Sequence, residues 1–236
     1  MPMNTSRFAL THPDSASPRA KVISKPEQVA ERLQELSPDL TLEVFRNAIE
    51  SGIGARNTTT AASAVTAPGS QQWFRTVEVL RTRMQEKQWR IHDPQNCPFI
   101  TSPDKSISIV VMTGNPDTGL DGELEPTNQA DKGAVTEGYV HRNRALQLQQ
   151  SFDWSRRGND DDGTAVWVLL YHYDVLANDV RFELSQPIDF SGKKIIAWAE
   201  RLIMERVPNT PDEFIIDHEP DNSSDSVIIE PRTGSF

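Results

Sequence analysis

The sequence predicts an α+β fold, with N-terminal helices followed by a mostly antiparallel sheet built around a central hairpin. Three patterns lead to this prediction. Apolar residues recur at helical spacing in the first third of the chain, and further on they alternate with polar residues. Residues 164–185 have the pattern of two strands joined by a tight turn. We therefore expect one α+β domain over 24–207. A flexible N-terminal arm (1–23) precedes it, and an acidic C-terminal tail (208–236) follows it.

The first third of the domain is expected to hold three helices. The first covers residues 26–36, with Pro26 at a first helical position that needs no N–H partner. The second begins at Thr41 and ends at Gly52, and a low-complexity loop follows over 54–69. The third runs from 71 to about 87. Its predicted buried stripe consists of Trp73, Val77, Leu80 and Met84.

Strand signals follow the helices. Residues 107–113 form a continuous apolar run, which predicts a buried strand. The polar stretch 114–137 is long for a compact domain, so we expect it to be either functional or disordered. A short helix is predicted over 138–150. Residues 188–207 fit either a helix or a covered strand, and we favour the helix.

The central hairpin is predicted to turn at Ala177-Asn178. This register places Tyr173 opposite Phe182 on an apolar face. The opposite face would carry two charged pairs, His172 with Glu183 and Asp174 with Arg181.

The best metal-binding candidates are His172, Asp174 and Glu183. On one face of one hairpin, an imidazole and two carboxylates could converge on a divalent ion, as in a metal-dependent hydrolase or nuclease. The competing interpretation is cross-strand ion pairing on a solvated face. Arg181 favours that interpretation, because a cation beside the acids would compete with the metal.

A local excess of positive charge surrounds the predicted fourth helix. Arginine side chains there suit the phosphates of a nucleic acid or the carboxylates of a protein partner. The competing interpretation is a solvated helix face paired with the acids at 160–162. The candidate partner- or phosphate-binding residues are Arg142, Arg144, Trp154, Arg156 and Arg157, with His141 beside them.

Composition limits the possible functions. A formal charge of −10 argues against a protein that mainly coats nucleic acid. Cys97 is the single cysteine, which excludes an intrachain disulfide. There is no phosphate-loop glycine pattern, no bilayer-spanning apolar run and no signal-peptide pattern, so we expect a soluble, cytoplasmic protein without a cofactor or membrane association.

These observations favour a non-enzymatic interaction or assembly subunit of a larger intracellular complex. It would contact a protein partner or a second copy through the arginine surface and the terminal arms. The metal-dependent hydrolase or nuclease is the alternative, and a nucleic-acid accessory protein is a weaker one. In the tail, the apolar triplets 214–216 and 227–229 fit either strand addition to a sheet edge or a disordered solubilising segment.

Overall fold

The computed structural model of the protein describes residues 19–152 and 163–210. These residues form four α-helices and a seven-stranded sheet, which confirms the α+β class. The helices are α1 (Pro26–Leu36), α2 (Leu42–Asn57), α3 (Ala67–Gln85) and α4 (Ala134–Phe152). The strands are β1 (Lys21–Ile23), β2 (Arg90–His92), β3 (Phe99–Thr101), β4 (Ile107–Thr113), β5 (Ala165–Asp174), β6 (Asp179–Ser191) and β7 (Lys194–Pro208).

The sheet is mixed but mostly antiparallel, with the strand order β1-β7-β6-β5-β4-β3-β2. Two neighbouring pairs, β1 with β7 and β4 with β5, run parallel. A parallel pair needs a long crossover, and the chain makes the β4–β5 crossover through a loop at 114–133 and α4.

Helices cover both faces of the sheet. On one face, α1, α2 and α3 pack over the larger apolar cluster, which includes Phe45, Leu80 and Trp167. On the other face, α4 contributes Tyr139 and Val140 to a second cluster. Among the described residues, no helix is both long enough and apolar enough to cross a bilayer.

The second and third helices are longer than the sequence predicts. The Thr41 hydroxyl accepts a hydrogen bond from the Val44 N–H and caps the start of α2, as expected. The predicted stop at Gly52 is wrong, because α2 contacts α3 closely there and a Cβ would overlap Thr76. Since α3 begins at Ala67, the connecting loop covers only 58–66.

The predicted hairpin register is wrong by two residues. Tyr173 lies opposite Val180, and His172 lies opposite Arg181. A shift by two residues keeps every side chain on its predicted face, because side chains alternate with a period of two. The turn therefore covers four residues, 175–178, instead of Ala177-Asn178 alone.

The favoured helix over 188–207 is also wrong. Strand β6 continues to Ser191, and β7 returns from Lys194 to Pro208. Gly192 and Lys193 have φ values of 57° and 67°, as a tight two-residue hairpin turn requires. The apolar run suits a covered strand because one of its faces meets α1 and α2 and the other meets the loop at 114–133.

Both predicted arm boundaries shift. Lys21–Ile23 form β1, although the arm was predicted to extend to residue 23, and the Lys21 ammonium lies 2.9 Å from Glu200 Oε1 on β7. At the other end, Pro208 belongs to β7 and Asn209 is hydrogen-bonded to Asn178. The tail triplets lie outside the described residues.

The stretch predicted as a loop over 114–137 is a folded element up to residue 133. The Trp198 indole donates to the Pro126 carbonyl, and the Asn128 side chain accepts from the Ile195 N–H. These bonds fix the loop on the face of the sheet that α4 also covers. The helix after it begins at Ala134, earlier than the predicted start at Gly138.

Candidate functional site

The hairpin carboxylate of Glu183 lies inside the protein, with none of its surface exposed. Its two oxygens accept hydrogen bonds from the Arg201 guanidinium at 2.9 and 2.6 Å. The Gly119 N–H and the Ser185 hydroxyl donate to the same carboxylate, each at 2.8 Å. With four donors and no exposed surface, Glu183 forms a buried ion pair with Arg201, whereas the sequence predicted a solvated pair with His172.

The other two metal candidates have separate partners. Nδ1 of His172 lies 3.1 Å from the Gly114 carbonyl oxygen. Asp174 accepts hydrogen bonds from the turn N–H groups of Ala177 and Leu176, and these bonds lower the pKa of Asp174. Within residues 19–152 and 163–210, no three His, Cys, Asp or Glu side chains are arranged to hold a metal ion.

The arginine candidates are described in part. Helix α4 places His141, Arg142 and Arg144 at the surface, and the Arg144 guanidinium lies 3.7 Å from Asp189. The remaining candidates, Trp154, Arg156 and Arg157, lie outside the described residues, as do the acids at 160–162.

The orientation of α4 follows from Asn143 on its inner side. This buried amide donates to the carbonyls of Val166 and Pro187 at 2.7 and 2.9 Å, and its oxygen accepts from the Val166 N–H. Because Asn143 is tied to β5 and β6, the neighbouring residue Arg142 must point to solvent. Arg142 therefore lies on the exposed side of α4, within the helix that the sequence predicts.

A second surface, which the sequence analysis missed, lies at the β5–β6 turn. Val175 is 74% exposed and Leu176 is 99% exposed. Turn residues are usually polar or Gly, so two adjacent apolar side chains in a turn are unusual. The correct hairpin register would have revealed them. The predicted register, which pairs Tyr173 with Phe182, also pairs Val175 with Val180 and so assigns Val175 to the apolar face.

Hydrogen bonds hold this turn in one conformation. Asp174 Oδ1 accepts from the N–H groups of Leu176 and Ala177 at 3.0 and 3.1 Å. Asn178 Oδ1 accepts from the Tyr173 hydroxyl at 2.7 Å. The carboxylate of Asp174 and the amide of Asn178 thus fix both sides of the turn, and the two apolar side chains remain largely exposed.

Three asparagines border the turn. Asn209, just past β7, is bonded to the Asn178 backbone and side chain and, at 2.7 Å, to the Asn57 side chain at the end of α2. We call Val175, Leu176, Asn57, Asn178 and Asn209 the apical surface. At its base, the Arg56 guanidinium carbon lies 3.8 Å from the centre of the Tyr173 ring.

A cavity of about 380 Å³ lies at a different place, between α3, β4 and the start of α4. Its lining includes Trp73, Cys97 and Lys132. Burial raises the pKa of the Cys97 thiol, which disfavours the nucleophilic thiolate at neutral pH.

The described residues offer no nucleophile activated by a histidine. His172 bonds a backbone carbonyl, and the His92 ring stacks on Phe99 at 5.2 Å. Neither ring has a hydrogen bond to a Ser, Thr or Cys side chain in this part of the chain.

Comparison of the chain with models of known families, with curated proteins and with solved structures finds no match.

Proposed function

We propose that this protein is a non-enzymatic interaction subunit of a larger protein assembly and that the apical surface is its main contact. The observation that carries the proposal is the exposure of Val175 and Leu176 on a turn of fixed conformation. A solvated apolar pair on a hydrogen-bonded turn has no structural role in the isolated chain, whereas it suits a partner with an apolar pocket.

The energetics favour this use of the turn. Burying a Val or Leu side chain completely contributes about 1.5–3 kcal/mol each. The backbone of the turn is already ordered, so binding does not add the entropic cost of ordering it. The surrounding Asn57, Asn178 and Asn209 provide a polar rim, which is the usual anatomy of a protein interface.

The arginine surface is proposed as a second contact. Arg142 is exposed and forms no ion pair with a described residue. The net charge of −10 disfavours non-specific contacts with acidic molecules elsewhere, so an exposed arginine would direct an acidic partner to α4. The hydrolase alternative receives less support, because the three residues on which it depended are engaged by other groups.

The apical surface can be tested with the double variant Val175→Ser and Leu176→Ser. A partner captured from source cells by the tagged full chain is identified, purified and titrated against each variant. We expect the double variant to bind at least about tenfold more weakly, since two apolar side chains lose their burial. Its unfolding free energy should match that of the unmodified chain, because both side chains are exposed.

The matched control is Ile196→Ser, which changes an exposed apolar residue on β7. We expect its affinity to stay within about twofold, as for a residue outside the contact. Unchanged affinity of the apical double variant would contradict the proposed surface. If Arg142→Glu weakened partner binding and the apical double variant did not, the main contact would lie on α4.

A further inference from the structure

The cavity beside α4 is independent of the apical surface. Its volume of about 380 Å³ lies within the range of small-molecule pockets. Its lining combines Trp73 of α3, Val110 and Met112 of β4, Cys97 of the segment before β3 and Lys132 of the segment before α4.

The segment that carries Cys97 is held from outside the cavity. The guanidinium of Arg81 donates to the carbonyls of His92 and Phe99 at 3.1 and 3.2 Å and to the Asp93 carboxylate at 2.6 Å. Between these anchors the chain turns with positive φ values at residues 95 and 96. The cavity wall is therefore preformed.

The segment that carries Lys132 is fixed by the β6–β7 turn. The Lys132 N–H donates to the Lys193 carbonyl at 3.1 Å, and the Asn128 side chain donates to the same carbonyl. The chain then enters α4 at Ala134, and the positive end of the helix dipole lies in this wall.

The charges around the cavity leave one cation unpaired. Asp131 lies within 3.8 Å of the ammonium groups of Lys193 and Lys194, and Asp93 is bonded to Arg81. Lys132 is half-buried and forms no ion pair with any residue in the described ranges. Burial lowers the pKa of Lys132, which reflects the cost of a charge without a close counterion.

We propose that this cavity binds a small organic anion whose carboxylate or phosphate group contacts Lys132 and whose apolar body packs against Trp73 and Met112. An anionic group would restore the counterion that Lys132 lacks, and the helix dipole of α4 would add to the attraction. The indole and the β4 side chains would exclude water from the apolar part of the ligand. This binding site goes beyond the interaction function and does not depend on it.

Cys97 provides a direct measurement of occupancy, since it lines the cavity and is the single cysteine of the chain. The full chain is reacted with N-ethylmaleimide, a neutral thiol reagent, with and without phenyl phosphate or benzoate at millimolar concentration. Benzyl alcohol serves as the uncharged probe of similar size. We expect both anions to slow the labelling of Cys97 and the alcohol to have a much smaller effect. A comparison of the two anions shows which acidic group the site prefers.

The role of Lys132 is tested by Lys132→Met, which removes the charge, and Lys132→Arg, which keeps it. Affinity measured by calorimetry should fall at least about tenfold in the methionine variant, as for loss of a charge-assisted hydrogen bond, and less in the arginine variant. Lys87→Met is the matched control, because Lys87 is exposed and does not line the cavity.

Three results would overturn the proposal. The first is labelling of the unmodified chain that neither anion slows. The second is equal protection by benzyl alcohol, and the third is undiminished protection in Lys132→Met. Failure of these tests would leave partner binding through the apical surface unaffected.

Discussion

Glu183 and Arg201 form an ion pair whose environment decides its energetic role. Their side chains are 0% and 1% exposed, so neither charge is solvated by water. Burial alone would lower the pKa of Arg201, but the hydrogen bonds and charge of Glu183 outweigh that effect and raise it. In such a pair each partner is needed mainly because the other would otherwise be an uncompensated buried charge.

Replacement of Glu183 by Gln should therefore destabilise the protein strongly. We expect a loss of about 3–5 kcal/mol, because Arg201 would remain buried without a counterion. The sequence predicted that Glu183 pairs with His172 on a solvated face. Loss of such an exposed pair would lower the free energy of unfolding by only about 0–1 kcal/mol. The measurement is urea unfolding at neutral pH.

The matched control is Glu205→Gln, whose side chain is 79% exposed beside Arg46. It should change the unfolding free energy by less than about 0.5 kcal/mol. A Glu183→Gln variant as stable as this control would mean that water reaches the Arg201 guanidinium. Joint replacement of Glu183 by Leu and Arg201 by Met should recover part of the loss, since neither member of the pair is then left as an unpaired buried charge. The recovery is only partial because the Gly119 N–H and the Ser185 hydroxyl lose their acceptor.

The sequence could predict the face on which Glu183 lies but not its burial. Alternation along β6 is a local property and survives an error of two residues in register. Burial depends on Arg201 of β7 and on Gly119 of the crossover loop, 64 residues earlier in the chain. Such contacts leave no periodic pattern, and β7 had been predicted as a helix.

The crossover loop at 114–133 covers the β6–β7 part of the sheet. Gly119 has a φ of 70°, and its N–H donates to Glu183. A Cβ at this position would lie 2.8 Å from the Cβ of Arg181. Both the backbone conformation and the close approach to β6 therefore require glycine.

Gly119→Ala should destabilise the protein by more than about 1 kcal/mol, because alanine is strained at positive φ and would also push the loop away from β6. Thermal and urea unfolding measure the loss. Gly122→Ala in the same loop is the control, since a Cβ there meets no atom within 4 Å. Equal stability of the two variants would show that the loop can move away from Arg181 at little cost.

Elements with strong local signals are predicted well, and those that depend on pairing are not. Pro26 and the apolar spacing after it define α1, and the run at Ile107–Thr113 matches β4. The stretch at 188–207 was misassigned because its apolar residues satisfy both periods. The decisive feature is the turn at Gly192-Lys193, whose two positive φ values allow the chain to reverse between long strands.

The first and last strands of the described chain are neighbours in the sheet. Glu200 of β7 accepts hydrogen bonds from Lys21 of β1 and Arg32 of α1. Burial would raise the pKa of Glu200, and these bonds outweigh that effect and lower it. The parallel β1–β7 pair joins residues 179 positions apart, which explains why the sequence predicted an arm at this place.

Two truncations test the contribution of the last described residues to stability. Deletion of residues 211–236 leaves every contact between the described residues in place and serves as the reference. Deletion of 208–236 also removes Asn209, which is bonded to Asn57, Tyr173 and Asn178. We expect the longer deletion to cost about 1–3 kcal/mol through these lost hydrogen bonds.

The two truncations also separate the roles of the tail and the apical surface. Because Asn209 belongs to the polar rim, the longer deletion should weaken partner binding even where the domain stays folded. Preserved binding after removal of 211–236, measured with the same partner, would assign the contact to residues 1–210. If the shorter deletion abolished binding while Val175→Ser with Leu176→Ser did not, the acidic tail with its two apolar triplets would be the contact instead, as strand addition to a sheet edge requires.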